Sequence, residues 1–305
     1  MKNQVGREIP DEILERYKKE VFQSSFYRDN ESYKKTGPVV RGAVSPKQDK
    51  MVASIREALE KCEIRDGMVL SFHHHFRDGD YIVNMVLDCA ARMGVKDITV
   101  CASSLGAAHD PVADLIEAGV VTGIQTSGVR GRIGEVISRG RLKNPAVIRS
   151  HGGRVRAIEE GDVHIDIAFI GAPTSDACGN ARGLGGKSDC GVLSYSMVDA
   201  RYADKVVVIT DCLVPFPNFP PSISMVDVDY VCVVDEIGDP AKIVGNSVRM
   251  TKDVRELMMA KYASRLMAES PYFQDGFSFQ TGAGGASLAV NTMLRPIMEE
   301  RDIHM

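Results

Sequence analysis

The amino-acid sequence predicts an α/β fold with a doubly wound, largely parallel sheet. Strand patterns and helix patterns alternate from about residue 51, an order that is typical of parallel strands joined by helical crossovers. The strand candidates are also near-continuous apolar runs, as expected of strands that are buried on both faces. Ligands of such folds bind at the carboxyl ends of the strands, so the loops that follow strands are the first candidates for a functional site.

The first 50 residues differ from the rest of the chain and are expected to form an N-terminal arm, residues 1–50. Residues 9–22 are predicted to form a short helix that begins around Pro10 and Asp11, and residues 28–37 are polar and weakly patterned. We expect this arm to pack on the body of the protein or on a partner subunit.

A strand–helix–strand unit follows the arm. Residues 68–72 are predicted as a strand, and residues 81–93 as a helix with apolar side chains at three- and four-residue spacings. Gly94 suits the position just after this helix, where a left-handed backbone is common. Residues 98–101 are predicted as the next strand, which completes a parallel pair with a right-handed crossover.

The remaining elements continue the alternation over an expected first domain, residues 51–270. Asp110 and Pro111 are predicted to begin a helix that ends at Gly119. A long helix is predicted over residues 253–268. Further strand candidates are residues 120–126, 146–149, 165–170, 206–210 and 230–234.

Composition narrows the class of protein. The chain has 305 residues, of which 44% are hydrophobic and 26% charged, and a net charge of −4, values that are typical of a soluble globular protein. No basic block stands out, so no nucleic-acid partner is expected. The charged N-terminus does not resemble a signal peptide, and no apolar run reaches the ~20 residues that cross a bilayer, so no membrane association is expected. The seven cysteines are scattered, which favours reduced thiols in a cytoplasmic protein.

Residues 277–290 carry the most informative pattern. They are predicted to form a short apolar strand, a turn that contains Gly282, Gly284 and Gly285, and the start of a helix. Glycines leave backbone N–H groups uncovered, and a helix start adds unpaired N–H groups and the positive end of the helix dipole. The pattern predicts a site for an anionic oxygen of a phosphate, a carboxylate or an attacked thioester. A tight turn without a ligand is the alternative, and neither the Walker nor the dinucleotide-binding spacing is present.

Three consecutive histidines follow the first strand of the domain. Side chains of an extended segment alternate in direction, so only His73 and His75 could share a metal ion, and no further ligand stands at a fitting spacing. We therefore expect no metal. We expect His73 and His75, with Arg77, to bind a substrate carboxylate, and a hydrogen-bonded structural loop is the alternative.

Polar loops after other strands add further substrate-binding candidates. Ser104 and Ser127 follow two of the predicted strands. Asn180 lies in a second glycine-rich segment, residues 176–187, which is either a contact for phosphate or carboxylate or a surface loop.

Several segments together resemble a known family. Residues 150–240 carry Ser-His-Gly-Gly-Arg, Ile-Asp-Ile-Ala-Phe-Ile-Gly-Ala-Pro, Gly-Asn-Ala-Arg-Gly, Asp-Ala-Arg-Tyr-Ala-Asp-Lys-Val-Val and Val-Asp-Glu-Ile-Gly-Asp-Pro. Residues 277–285 carry Phe-Ser-Phe-Gln-Thr-Gly-Ala-Gly-Gly. This combination resembles the citrate lyase α subunits, which belong to the coenzyme A-transferase superfamily, and the resemblance covers nearly the whole chain from about residue 35.

The resemblance implies a fold and an activity. The fold would be a sheet of the CoA-transferase type, followed by the beginning of a second similar domain at residues 271–305, which we expect to be truncated. The activity would be transfer of an acyl carrier protein thioester from acetyl to citrate, giving citryl thioester and acetate. The glycine turn would act as an oxyanion hole through the N–H groups of Gly282, Gly284 and Gly285, and Gln280 and Thr281 would join the substrate-binding set.

The resemblance also implies partners. The thioester would be acetyl-CoA or the CoA-derived arm of an acyl carrier protein, with no metal in this subunit. Citrate, a β subunit that cleaves the citryl thioester and a γ subunit that carries the acyl group would complete an oligomeric complex. The alternatives are a citramalate lyase α subunit, another acyl-CoA transferase or hydrolase, and a non-catalytic scaffold or ligand-binding fragment.

Overall fold

The computed structural model describes residues 1–3, 6–18, 36–41, 50–243, 250–282 and 284–305. The chain divides into two compact units, Met1–Val244 and Gly245–Met305. Among the described helices, none is long and apolar enough to cross a lipid bilayer.

The helices and strands of the described residues are as follows. The helices are α1 (Asp11–Tyr17), α2 (Ile55–Lys61), α3 (Ile82–Arg92), α4 (Val112–Glu117), α5 (Gly131–Ser138), α6 (His151–Glu159), α7 (Ser196–Tyr202), α8 (Pro240–Ile243), α9 (Val254–Ala268) and α10 (Gly285–Arg301). The strands are β1 (Met51–Val52), β2 (Val69–Phe72), β3 (Ile98–Ala102), β4 (Val121–Thr126), β5 (Val147–Ile148), β6 (Ile167–Ala172), β7 (Thr174–Ser175), β8 (Ala181–Arg182), β9 (Lys205–Thr210) and β10 (Tyr230–Val233). Short 3-10 turns lie at Arg77–Gly79, Ala107–His109 and Met225–Asp227.

The main sheet of the described residues has eight strands in the order β1-β10-β9-β6-β2-β3-β4-β5. Every pair of neighbours in it is parallel. This arrangement confirms the predicted doubly wound, largely parallel sheet. The β7 and β8 strands form a separate antiparallel pair.

The core lies on both faces of this sheet, which explains the continuous apolar runs. All six residues of β6 are buried. Ile167 and Phe169 belong to one apolar cluster, whereas Ala168 and Ile170 belong to another. Alternate residues of one strand therefore fill two cores, as expected of a strand with helices on both sides.

Glycines end two helices of the first unit as the sequence predicts. Gly94 follows α3 with φ 84°, and Gly119 follows α4 with φ 72°. Both angles lie in the left-handed region, which glycine adopts without the steric penalty of a Cβ.

Part of the N-terminal segment lies on the first unit. The predicted helix over residues 9–22 is observed as the shorter α1, and residues 19–22 lie outside the described ranges. The N–H group of Val39 donates to the Arg201 carbonyl at 2.8 Å. Arg41 Nε pairs with the Asp229 carboxylate at 3.1 Å.

The second unit is built on α9 and α10. Ala268, Phe273 and Leu294 form its small buried cluster, and Phe277 and Phe279 pack against it. Contacts place α9 in this unit, whereas the sequence predicts a domain boundary at residue 270. The physical reason for the difference is that α9 packs against α10.

The short strand predicted at the start of residues 277–290 is wrong. Residues 277–282 form neither helix nor strand. The rings of Phe273 and Phe277 lie 5.1 Å apart, and those of Phe277 and Phe279 lie 6.3 Å apart. Both phenylalanines of this segment therefore pack on the small cluster of the second unit instead of joining a sheet. The helix predicted after the glycine turn is confirmed as α10.

Candidate functional site

The strand order reverses in the first unit between β2 and β6. From β2 the chain proceeds to β3, β4 and β5 on one side, and it returns through β6, β9 and β10 on the other. Ligands of doubly wound folds bind at the carboxyl ends of strands where the order reverses in this way. His73, His74 and His75 directly follow β2, so the topology puts them at this switch point.

A buried charged network underlies the switch point. The Asp199 carboxylate accepts hydrogen bonds from Arg154 Nη1 at 2.9 Å and from Arg154 Nη2 at 2.6 Å. His73 Nε2 lies 3.0 Å from the same carboxylate. Ser71 donates its hydroxyl to Asp199 and accepts from Arg154 Nη2 at 2.9 Å. The bidentate geometry fixes the guanidinium and the carboxylate relative to each other.

Both ions of this network keep their charge at neutral pH. Burial acts to raise the pKa of Asp199, but Arg154 and His73 outweigh it and hold that pKa well below its usual range. Burial acts to lower the pKa of Arg154, but the Asp199 charge outweighs it and raises that pKa. The pair therefore joins α6 to α7 beneath His73 as a fixed, desolvated ion pair.

His75 also has an internal partner. Burial lowers the pKa of His75 to about 4, so its ring is neutral at neutral pH. Its Nε2 is 2.9 Å from the Gly171 carbonyl oxygen and therefore carries the proton and donates it. The centroids of the His73 and His75 rings lie 6.2 Å apart, which agrees with the alternation predicted from the sequence. As carboxylate-binding residues, both histidines stay predictions.

His74, between them, belongs to a different cluster. Ser103 Oγ accepts from the His74 backbone N–H at 3.0 Å and lies 2.6 Å from His74 Nδ1. The His74 ring is 5.5 Å from the His151 ring, which in turn is 5.3 Å from the Tyr195 ring. Burial, followed by the charge of His151, lowers the pKa of His74 to about 4. The cluster joins the loops after β2 and β3 to the first residue of α6 and the residue before α7.

Other predicted residues lie at the same strand ends. Arg77 is exposed and begins the 3-10 turn after the histidines. The Ser104 hydroxyl donates to the Gly128 carbonyl at 3.4 Å. The Ser127 hydroxyl donates to the Ser103 carbonyl. The two serines thus tie the loops that follow β3 and β4 to each other.

Asn180 lies in a separate buried network between β7 and β8. Its Nδ2 donates to Asp176 Oδ2 at 2.8 Å, and its Oδ1 accepts from the Met225 N–H at 3.1 Å. Asp176 Oδ2 also accepts from the Asn218 N–H at 2.9 Å. The amide of Asn180 is therefore used to hold this loop, and the loop is an ordered part of the first unit.

The glycine turn lies in the second unit. Gly284 precedes α10 with φ −78° and ψ 153°, and no described side chain caps the helix. A Cβ at Gly282 or Gly284 would have Ser287 Oγ as its nearest described neighbour, at 3.4 and 3.9 Å respectively. A Cβ at either position would thus make only ordinary van der Waals contacts with described residues, and the first N–H groups of α10 have no side-chain acceptor among those residues.

The remaining two predicted residues precede this turn. Gln280 is exposed. Thr281 Oγ1 accepts from Asn291 Nδ2 of α10 at 3.3 Å. The structure therefore groups Gln280 and Thr281 with the predicted oxyanion donors, and it groups His73, His75, Arg77, Ser104 and Ser127 at the strand ends of the first unit.

Potential metal ligands occur at the amino ends of β6 and β9, at the opposite end of the strands from the histidines. His164, Asp166 and Asp204 each offer one ligand atom, and these atoms lie within 4.8 Å of one another. His164 Nε2 is 2.8 Å from Asp204 Oδ2, and Asp166 accepts from the Val69 N–H at 2.7 Å. Exposed acidic clusters of this kind are common without an ion, so we assign no metal site here.

Sequence reasoning missed part of the site of the first unit. His151 and Arg154 stand in the Ser-His-Gly-Gly-Arg motif, so their presence there was a usable signal. Tyr195 directly precedes the short helix α7, and Asp199 lies within it. No spacing in the sequence relates either residue to the histidines. Only the packing of α7 against α6 and β6 brings them there.

The free energy of unfolding is expected to fall as the pH decreases from 6.5 to about 4. In that window the unfolded chain binds protons at His74 and His75, whose ordinary pKa is 6.5, but the folded chain, with pKa values of about 4, does not. Protonation of Asp199 lowers the free energy of unfolding further only below pH 3.8, the ordinary pKa of an aspartate. Urea midpoints measured across this pH range test the expectation. A His75→Gln variant keeps an N–H donor for the Gly171 carbonyl, and its free energy of unfolding should fall less steeply as the pH decreases. An unchanged dependence on pH would contradict the role of His75 as a buried, neutral histidine.

The architecture has a counterpart among solved transferases. An acyl-CoA transferase from Escherichia coli O157:H7, solved as a thioester complex with CoA, matches with a TM-score of 0.51 at 15% identity. The match covers 71% of this chain and 54% of that chain, and at this identity it concerns the fold alone. A doubly wound parallel sheet with polar loops at its switch point, together with this likeness, defines an α/β protein with a fold of the CoA-transferase type.

The sequence model of "Citrate lyase, alpha subunit (CitF)" matches residues 48–305. The chain therefore belongs to the citrate lyase alpha subunit family, which confirms the resemblance seen in the sequence. The citrate lyase alpha chain of Haemophilus influenzae is 48% identical over 257 residues, which cover 84% of this chain and 51% of that protein. A crystal structure from Streptococcus mutans, described as the alpha subunit of citrate lyase in complex with citrate, has a TM-score of 0.86 and 52% identity. It covers 99% of this chain and 58% of that chain.

This chain thus spans about half the length of the curated relatives that it matches.

Proposed function

We propose that this chain exchanges the acyl group of a CoA-type thioester, replacing acetyl by citrate, as the α subunit of a citrate lyase. The observation that carries the proposal is the relative from Streptococcus mutans, described as bound to citrate, which is 52% identical and matches 99% of this chain. The likeness to an acyl-CoA transferase concerns the fold alone and agrees with a sheet of the CoA-transferase type.

The proposed reaction balances without a cofactor that is consumed. A citrate carboxylate oxygen attacks the carbonyl carbon of the acetyl thioester, a C–O bond forms, and the C–S bond breaks to release the thiolate. The thiolate then attacks the citryl carbonyl of the mixed anhydride, and acetate leaves. Negative charge develops on a carbonyl oxygen in each step, so fixed N–H donors would accelerate both.

The glycine turn supplies groups of the required kind. Backbone N–H groups at Gly282, Gly284 and Gly285 are the proposed oxyanion donors. The uncapped start of α10 supports this role because its N–H groups point along the helix axis and carry the positive end of the dipole. We propose that Gln280 and Thr281, which precede the turn, contact the substrate.

The first unit supplies groups suited to an acid with several carboxylates. His73, His75, Arg77, Ser104, Ser127 and Asn180 are the residues that the sequence predicts for this role. We propose acetyl-CoA, or the CoA-derived arm of an acyl carrier subunit, as the thioester, and we propose a lyase subunit and a carrier subunit as partners in a cytoplasmic complex. Holding three carboxylates in one orientation would convert a bimolecular attack into a step within one complex.

An exchange assay tests the proposed function. The chain is incubated with acetyl-CoA and either citrate, citramalate or acetate, and the acyl-CoA products are identified by mass spectrometry. Citryl-CoA formed from citrate supports the proposal, whereas product from citramalate alone favours a citramalate lyase subunit. Hydrolysis of acetyl-CoA without exchange favours a hydrolase. No turnover with any acid contradicts the proposal for this chain and favours a scaffold or ligand-binding role.

A further inference from the structure

We propose that His74, His151 and Tyr195 bind one carboxylate of the acceptor acid, with His74 Nε2–H as the donor that Ser103 orients. This inference rests on the proposed function and assigns residues to it. The three side chains were not among the substrate-binding candidates predicted from the sequence.

Ser103 makes two contacts with His74 that bear on the tautomer of its ring. Ser103 Oγ already accepts the His74 backbone N–H at 3.0 Å, so its own proton is available for the ring nitrogen at 2.6 Å. As part of this proposal we assign the direction of this bond: the hydroxyl donates to His74 Nδ1, which is then unprotonated. In a neutral ring the remaining proton lies on Nε2. The loop after β3 thus holds one N–H of His74 in a defined direction.

Several polar atoms of the cluster have no hydrogen-bond partner among the described residues. Within the described part of the chain, His74 Nε2, both ring nitrogens of His151 and the Tyr195 hydroxyl have no hydrogen-bond partner, and none of them is sealed from solvent. His73 and His75 differ in this respect, because Asp199 and the Gly171 carbonyl occupy their Nε2 atoms. Of the three consecutive histidines, His74 is therefore the one whose Nε2 has no partner among the described residues.

The charge around the cluster favours an anion. No carboxylate of the described residues is paired with His74, His151 or Tyr195, and the Asp199 carboxylate of the neighbouring network is paired with Arg154. Half-buried donors without a carboxylate partner suit a ligand that brings its own negative charge. A carboxylate accepts from several N–H and O–H donors at once, which matches three unpaired rings.

A pair of variants separates the two nitrogens of His74. In His74→Asn the side-chain amide reaches the Nδ1 position and keeps a partner for Ser103, but nothing reaches the Nε2 position. In His74→Gln the longer side chain brings an amide N–H close to the Nε2 position. His164→Asn is the matched control, because His164 is 59% exposed and lies at the amino end of β6, away from the carboxyl ends that His74 follows. Tyr195→Phe removes one hydroxyl and keeps the ring.

Calorimetric titration of citrate into the whole chain gives the first measurement, and the exchange assay gives KM for citrate and for acetyl-CoA. Loss of a hydrogen bond to a charged ligand is expected to raise the Kd and KM of citrate about 10- to 100-fold in His74→Asn. KM for acetyl-CoA should not change. His74→Gln should retain most of the affinity, Tyr195→Phe should lose affinity in the same sense as His74→Asn, and His164→Asn should match the unmodified chain.

The outcomes distinguish the inference from the proposed function. If the chain forms citryl-CoA and both His74→Asn and Tyr195→Phe keep the original KM for citrate, the inference is overturned and the proposed function stands. If His74→Asn weakens acetyl-CoA as much as citrate, its effect is structural and the inference is also overturned. If the unmodified chain neither binds citrate nor forms citryl-CoA, the inference and the proposed function are both contradicted.

Discussion

Replacing Gly285 by proline is expected to lower the rate of the proposed citryl thioester formation about 100- to 1000-fold, the usual effect of losing one oxyanion donor. Gly285 is the first residue of α10, a position where proline is favoured because its φ fits a helix and its missing N–H has no partner within the helix. Gly284, with φ −78° and ψ 153°, already has the extended backbone that a residue before proline requires. The variant should therefore lose the N–H group and keep the helix.

Gly285→Ala is the matched control, since it retains the N–H group at the same position. It should keep most of the activity, and both variants should melt close to the unmodified chain. The rates are measured with saturating citrate and acetyl-CoA, so that the effect appears in kcat. Equal rates in Gly285→Pro and Gly285→Ala would remove Gly285 N–H from the proposed oxyanion hole.

Replacing Asp199 by asparagine is expected to lower the free energy of unfolding by about 3–5 kcal/mol. The change leaves the buried guanidinium of Arg154 without a counter-ion, and an uncompensated buried charge has an effect of this size. A domain of this kind has a total stability of about 5–15 kcal/mol, so the loss is a large fraction of it. Urea unfolding followed by circular dichroism gives the value.

Asp114→Asn provides a matched control for Asp199→Asn. Asp114 also forms a bidentate pair with an arginine, Arg132, but both side chains are exposed. Solvent screens such a pair, so its removal should leave the unfolding curve nearly unchanged. A small effect for Asp199→Asn, similar to that of Asp114→Asn, would mean that water reaches Arg154 and that the network is not a fixed element of the site.

The sequence predicts the sheet well because burial on both faces leaves a local trace. β6 and β9 appear as apolar runs, and Gly94 and Gly119 end helices where the pattern requires. The segment at residues 277–282 lacks such a trace. Its alternating phenylalanines satisfy the pattern of a strand, but they pack on the small cluster of the second unit, a tertiary contact that periodicity does not reveal.

The candidate site is predictable only in part, for a similar reason. Alternation along an extended segment correctly separates His74 from His73 and His75. The alternation does not show which histidine rings are already hydrogen-bonded to other groups of the protein. That depends on Asp199, which is 126 residues from His73 in sequence, and on the Gly171 carbonyl. The partners of a histidine thus come from distant crossovers, and a single sequence gives no spacing rule for them.

The pairing of β1 with β10 has a consequence for synthesis on the ribosome. Met51 pairs with Val231, 180 residues later, and at about 5–20 residues per second β1 waits roughly 9–36 s for its partner to be made. The contacts of Val39 with Arg201 and of Arg41 with Asp229 are likewise possible only after these later residues have been made. The strands from β2 to β5 have partners close in sequence and are able to assemble during this interval. Val39, Arg41 and β1 are therefore made before most of the first unit but are among its last parts to reach their places.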